Sequence, residues 1–204
     1  MAEKVAVLMD GGFVKKKLQE VNHRFPTVTD VVNLVSATMA KPELSSTSIF
    51  RVYFYDAPPY EGKNRNPISG VVINFSGTPQ ARQNQALLQS LELQPNFACR
   101  RGTLTLSGWK LGRSAMKSLA SHPRAITGND FVPDMAQKGV DMRIGLDIAW
   151  LSIKHIVDSV VLVTGDSDFV PVMKFARKEG LRVYVETLKH PVRTELKVHA
   201  DIVL

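Results

Sequence analysis

Cysteine is nearly absent from this chain of 204 residues. The single Cys99 rules out an internal disulfide and agrees with a cytoplasmic, reducing setting. No apolar run approaches the roughly 18 residues that a membrane span requires, so no membrane association is expected. Met1-Ala2-Glu3-Lys4 leads straight into a strand pattern, which predicts no signal peptide. His23, His122, His155, His190 and His199 are scattered without zinc spacing. Neither Gly-x-Gly-x-x-Gly nor a Walker-type Gly-Lys-Ser/Thr occurs, which removes the common nucleotide-binding loops. Internal repeats and low-complexity tracts are missing too.

Acidic residues are also missing, but only locally. From Leu93 to Asn129, a stretch of 37 residues, there is no Asp or Glu. The same stretch carries Arg100, Arg101, Lys110, Arg113, Lys117 and Arg124, nearly the whole net charge of +7. Clustered Arg and Lys favour a polyanion, and nucleic acid is the commonest one. The plainer alternative is a solvated basic loop.

What the chain does have is apolar runs that stop at carboxylates. Val160-Val161-Leu162-Val163-Thr164-Gly165 ends at Asp166-Ser167-Asp168, and Val5-Ala6-Val7-Leu8-Met9 ends at Asp10-Gly11-Gly12. Such runs read as strands buried on both faces of a parallel sheet. Strands are expected at about Lys4–Asp10, Ser48–Tyr55, Phe97–Ser107, Val160–Thr164, Leu181–Glu186 and Ile202–Leu204. Helices are expected from Phe13, over Thr29–Met39, Pro79–Leu91, Ser114–Ser121, Val140–Ile153, Phe169–Lys178 and Pro191–Val198. Lys15, Lys16 and Lys17 are expected on the solvent side of the first helix. The alternation predicts an α/β fold, a mainly parallel sheet with helices on both faces. One domain spanning 1–204 is expected, with a loop-rich segment at about 57–78 and a basic insertion at about 107–130.

In such sheets the ligand site lies outside the carboxyl ends of the strands. Asp10, Asp141, Asp166 and Asp168 would meet there. Two unit charges about 4 Å apart at an effective dielectric near 20 repel by roughly 4 kcal/mol. A protonation or a hard cation such as Mg²⁺ or Mn²⁺ relieves that repulsion. Gly11, Gly12 and Gly165 would let the backbone turn and substrate approach. Each acid also has a duller reading: helix capping for Asp166 and Asp168, a turn for Asp10, dipole compensation for Asp141. Asp147, Thr164, Ser167 and Lys138 are candidates for a supporting layer. Asp147 lies six residues beyond Asp141, about 240° around a helix, so it does not share that residue's face. Trp109 and Phe131 flank the insertion as base-stacking candidates, with core packing the expectation for Phe131. Cys99 is expected to be structural.

Three stretches together resemble a known family: Met9-Asp10-Gly11-Gly12-Phe13, Lys138-Gly139-Val140-Asp141 continuing to Asp147, and Thr164-Gly165-Asp166-Ser167-Asp168-Phe169. They look like the three signatures of NYN domains, within the PIN-like nuclease superfamily. The resemblance implies a Rossmann-like, PIN-type three-layer sandwich and Mg²⁺- or Mn²⁺-dependent ribonuclease activity. It carries the acidic positions onto Asp10, Asp141, Asp166 and Asp168, and a further recurring acid onto Asp147. Many NYN members place an Asn shortly after the first Asp; here Gly12 and Phe13 follow, the Asp-Gly-Gly form of a bacterial branch.

Two functions compete. The first is a metal-dependent endoribonuclease acting on single-stranded or structured RNA, with catalytic and metal-binding aspartates and a basic insertion that holds the backbone. The second is a non-catalytic RNA- or protein-binding module with a vestigial acidic site. An aspartyl-phosphatase reading requires Asp two residues after Asp10, where Gly12 stands. Whether one or two ions bind is open, and a homo-oligomer is compatible with the sequence.

Overall fold

The first strand explains the rest of the architecture. In the computed structural model, which describes residues 3–204, Val5 to Met9 are all fully buried. Met1 and Ala2, where a leader peptide was not expected, lie outside the described residues. A run of five buried apolar residues needs cover on two faces, because successive side chains point to opposite sides of a strand. Val5, Val7 and Met9 pack into one cluster, and Ala6 and Leu8 into the other. Each fully buried Val or Leu side chain contributes roughly 1.5–3 kcal/mol relative to exposure.

In chain order the strands are β1 (Glu3–Asp10), β2 (Thr47–Asp56), β3 (Lys63–Arg65), β4 (Val72–Asn74), β5 (Phe97–Arg101), β6 (Thr103–Leu111), β7 (Phe131–Lys138), β8 (Ser159–Val163), β9 (Arg182–Glu186) and β10 (Ile202–Val203). The helices are α1 (Gly11–Asn22), α2 (Val28–Met39), α3 (Pro79–Glu92), α4 (Arg113–Ser121), α5 (Val140–Ile153), α6 (Val170–Lys178) and α7 (Thr194–His199). Six strands form one sheet in the order β10-β9-β8-β1-β2-β5, and every pairing in it is parallel. Helices α1, α2 and α3 cover one face, and α5, α6 and α7 the other. This is the three-layer α/β sandwich expected.

Local chemistry sets the helix starts. Thr27 caps α2 through a capping box with Asp30, and Thr78 caps α3 just ahead of Pro79. Gly11 opens α1 hard against β2: a Cβ there would lie 2.5 Å from the Tyr55 carbonyl oxygen. Only glycine fits that approach.

Two antiparallel hairpins stand apart from the sheet. β3 and β4 are the short elements of the loop-rich segment. β6 and β7 form a longer ribbon whose far end carries α4, a helix with no buried residue. The excursion therefore runs over 103–138, wider than the 107–130 expected. Lys15 also departs from expectation. It does not face solvent: its ammonium pairs with buried Asp56 and donates to Asn84 Oδ1 at 2.8 Å.

Candidate active site

β1 lies between β8 and β2, and the chain builds outward from it in both directions. Between β1 and β8 lies the topological switch point where crevices form at the carboxyl ends of parallel strands. Asp10 ends β1 there, and the β8 run delivers Thr164 and Asp166 beside it. Thr164 is fully buried, and its hydroxyl joins the two acids: it accepts from the Asp166 amide at 3.1 Å and donates to Asp10 Oδ2 at 3.5 Å. Ser167 lines a crevice with Asp10 and Asp166.

The capping readings of Asp10 and Asp166 are also realised. Asp10 Oδ1 accepts from the Phe13 amide at 3.2 Å at the start of α1. Asp166 Oδ1 accepts from the Asp168 amide at 2.9 Å in a single 3₁₀ turn ahead of α6. Each cap occupies one carboxylate oxygen and fixes the rotamer. Asp168 sits in that turn, and Asp141 in the first turn of α5.

Two of these acids have raised carboxyls. Burial raises the Asp10 carboxyl above its ordinary range; the Phe13 amide opposes this, and the charges of Asp141 and Asp166 add to it. Burial also raises Asp141, reinforced by Asp166 and Asp168. None of the four forms an ion pair with a Lys, Arg or His among the described residues. Asp10, Asp166 and Asp168 line a cavity of about 590 Å³ with Phe13, His190 and Arg193; Asp141 stands outside that lining.

Among the described residues no three His, Cys, Asp or Glu side chains are arranged to hold a metal ion. The donor set nonetheless suits Mg²⁺ or Mn²⁺. It consists of carboxylates without a cationic partner among the described residues, and such ions keep several waters, so few direct carboxylates suffice.

Other expected residues are committed elsewhere. Asp147 accepts from the Tyr55 hydroxyl at 2.8 Å and from Arg100 Nε at 2.8 Å, clamping α5 to β2 and β5. It is a structural acid, not a support for the acidic site. Arg100 is correspondingly tied down. Arg101 pairs with Glu92, Lys110 with Asp134, and Arg124 with Asp130. The Arg124 guanidinium holds Asp130 well below the usual carboxylate range. The acid-free window hid these partners because Glu92 and Asp130 sit just outside its two ends. Arg113 and Lys117 on α4, and Lys138 at the end of β7, form no ion pair among the described residues. Trp109 packs beside Phe75, with ring centroids 6.4 Å apart, and its indole N–H is buried without a partner. Burial pushes the Cys99 thiol up to about 11, as befits a structural cysteine.

Sequence reasoning missed Asp56 and Glu186. Both are buried at the carboxyl ends of strands, β2 and β9. Asp56 is held by Lys15 and by Gln137 Nε2 at 2.7 Å, and Glu186 by Lys41 Nζ at 2.5 Å. The signal existed: Val52-Tyr53-Phe54-Tyr55-Asp56 and Val183-Tyr184-Val185-Glu186 are also apolar runs ended by a carboxylate. His190 and Arg193 were missed because neither belongs to a motif.

The NYN domain profile matches residues 85–203, more than half of the chain. The chain belongs to the NYN family. NYN domains are PIN-like nucleases, so the matched region connects this protein to nuclease and RNA-related function. The match begins inside α3 and includes Asp141, Asp166 and Asp168, while Asp10 lies ahead of it. This NYN domain is similar to an uncharacterized protein of Methanocaldococcus jannaschii, with 28% identity over 96 residues. That alignment covers 46% of this chain and 40% of the relative, so this chain spans less than half of the relative's length. A solved protein of unknown function from Vibrio parahaemolyticus shares the fold, with a TM-score of 0.55 and 18% identity. The superposition covers 100% of this chain and 92% of that one.

Proposed function

We propose that this NYN domain is a divalent-metal-dependent ribonuclease that cuts phosphodiester bonds at the carboxyl edge of its sheet. The reading is carried by one observation: Asp10, Asp166 and Asp168 line one crevice where β1 and β8 end, and none of them has a cationic partner among the described residues. Asp10 and Asp166 would hold Mg²⁺ or Mn²⁺, with Asp141 and Asp168 completing the site or holding water. Such an ion supplies phosphate polarisation and an acidified water. The remaining work belongs to the chain. Asp141, with its raised carboxyl, is suited to take a proton from the attacking water. Thr164 keeps Asp10 and Asp166 in register. Arg193, exposed at the rim of the cavity, faces an incoming phosphate. Arg113, Lys117 and Lys138 provide backbone contacts along the ribbon. The substrate is RNA, single-stranded or structured, and the setting is the cytoplasm. We read the Asp10-Gly11-Gly12 opening as that of a bacterial branch of the family.

The test is cleavage of labelled single-stranded RNA and DNA in Mg²⁺, Mn²⁺ and EDTA, run beside Asp10→Asn and Asp166→Asn. Metal-dependent RNA cleavage should vanish in both variants while RNA binding persists. Undiminished cleavage by clean preparations of both variants sinks the proposal. Metal-independent binding without turnover makes the domain a non-catalytic binding module instead.

A further inference from the structure

A second cavity opens beside the acidic crevice. It measures about 620 Å³ and lies between α1, α3, the loop after β2 and the β6–β7 ribbon. Its walls are largely apolar: Tyr60 and Phe75 come from the loop-rich segment, Leu104 and Met135 from the ribbon. Its floor is polar. Lys15, Asn84 and Gln137 line it, and all three belong to the network around buried Asp56. Apolar walls with a few fixed polar groups are the build of a ligand site.

Gln137 ties this cavity to the acidic edge. The Asp56 carboxylate can only accept, so the Gln137 amide nitrogen turns to it at 2.7 Å and Oε1 takes the other side. A Cβ on Gly12 would lie 3.5 Å from that Oε1 and 3.4 Å from Asp10 Oδ1. Gly12, which carries no side chain, thus lines the cavity and lies against the first aspartate of the crevice. Tyr60 indicates the occupant. Its ring lies on Gly62, where a Cβ would collide with Tyr60 Cε1 at 2.5 Å. Phe75 supports it edge-on, with centroids 5.8 Å apart at 66°. The ring is therefore fixed before any ligand arrives, and a fixed aromatic beside a phosphate-handling edge is a stacking platform for a base. Lys16 lines the same cavity, is exposed, and forms no ion pair among the described residues.

We propose that this cavity receives one unpaired base of the RNA strand whose phosphate lies at the acidic edge. The base stacks on Tyr60, and Lys16 meets the backbone at the rim. The inference rests on the ribonuclease reading and narrows it. The RNA is single-stranded where it is held, because a paired base enters a recessed cavity only by leaving its stack and breaking its pair.

Fluorescence anisotropy in EDTA tests it without cleavage. The probes are a labelled single-stranded oligoribonucleotide, the same strand in a blunt duplex, and strands with one abasic ribose at successive positions. The single strand should bind more tightly than the duplex, and one abasic position should weaken binding about tenfold. Tyr60→Ala should lose about the same factor for the intact strand and become indifferent to the abasic position. Tyr60→Phe, which keeps the ring, should bind like the wild type. Gly62→Ala should behave like Tyr60→Ala: the φ of Gly62 is not left-handed, so alanine fits the backbone and displaces only the ring. Equal affinity for duplex and single strand, no sensitive position, or unchanged binding by both Tyr60→Ala and Gly62→Ala overturns the proposal. The same strands in Mn²⁺ separate the two readings. An abasic effect without any cutting supports the cavity and removes the nuclease. Cutting of single strand and duplex alike, untouched by Tyr60→Ala, keeps the nuclease and overturns the cavity.

Discussion

Lys15, Lys16 and Lys17 follow one another in α1, yet only Lys15 is bonded to a fully buried carboxylate, that of Asp56. Removing one partner of a buried pair strands the other charge, at a cost of roughly 3–5 kcal/mol. Lys15→Met should therefore lose about that much stability in urea unfolding, whereas exposed Lys16→Met should stay within about 0.5 kcal/mol of the wild type. Equal losses for the two would show that the Asp56 pair is not structural. Helical spacing alone could not separate these lysines, because Asp56 arrives from a strand 41 residues away. The placement of Asp10 and Asp166 side by side was legible for the opposite reason. Asp10 and Asp166 each end an apolar run, and strand ends of a parallel sheet share one edge. Asp147 shows where that logic stops: it matches a family position, but the rotation of α5 carries it to Arg100 and Tyr55.

At the scale of elements, the β6–β7 ribbon concentrates what sequence periodicity conveyed least. Thr103-Leu104-Thr105-Leu106 announces its first strand by alternation. Its second, Phe131–Lys138, contains Pro133, Asp134 and Gln137 and carries no such alternation, so no strand was expected there. Its register comes from pairing with β6 and from the bond between Gln137 and Asp56. By contrast, the sheet and its covering helices follow from periodicity, since both faces of the sheet are buried. The ribbon also redistributes the basic charge. Arg100, Arg101, Lys110 and Arg124 are engaged by acids, which leaves Arg113 and Lys117 on α4 without an ion pair among the described residues and, on the proposed reading, free to meet a phosphate backbone. Replacing both by Ala should weaken binding of single-stranded RNA and flatten the plot of log K against log salt by about 0.7 per cation. Fluorescence anisotropy across a salt series reads this, and an unchanged slope would place the backbone contacts elsewhere. Arg124→Ala should instead loosen the hairpin, because Asp130 loses its guanidinium partner.

For the whole molecule, the acidic edge links folding to pH and, on the proposed reading, to metal. Burial and neighbouring charges raise the Asp10 and Asp141 carboxyls in the folded protein. The folded state then binds more protons than the unfolded chain between the ordinary aspartate range and the raised values. Stability in EDTA should fall as pH climbs through that window and remain reduced above it. Asp10→Asn keeps a good N-cap while removing the charge. It should melt higher than the wild type at neutral pH in EDTA, and the gap should close below the ordinary aspartate range. Millimolar Mn²⁺ should raise the wild-type melting temperature by mass action and raise that of the variant less. Identical melting curves for the two proteins under all these conditions would mean that the acids do not share a site. The helix-capping contacts made by Asp10 and Asp166 have a consequence of their own. On the proposed reading each of these carboxylates serves two masters, a backbone amide and whatever the crevice receives. A glutamate, one methylene longer, preserves the charge but not both reaches at once. These two positions should therefore reject even the most conservative acidic exchange.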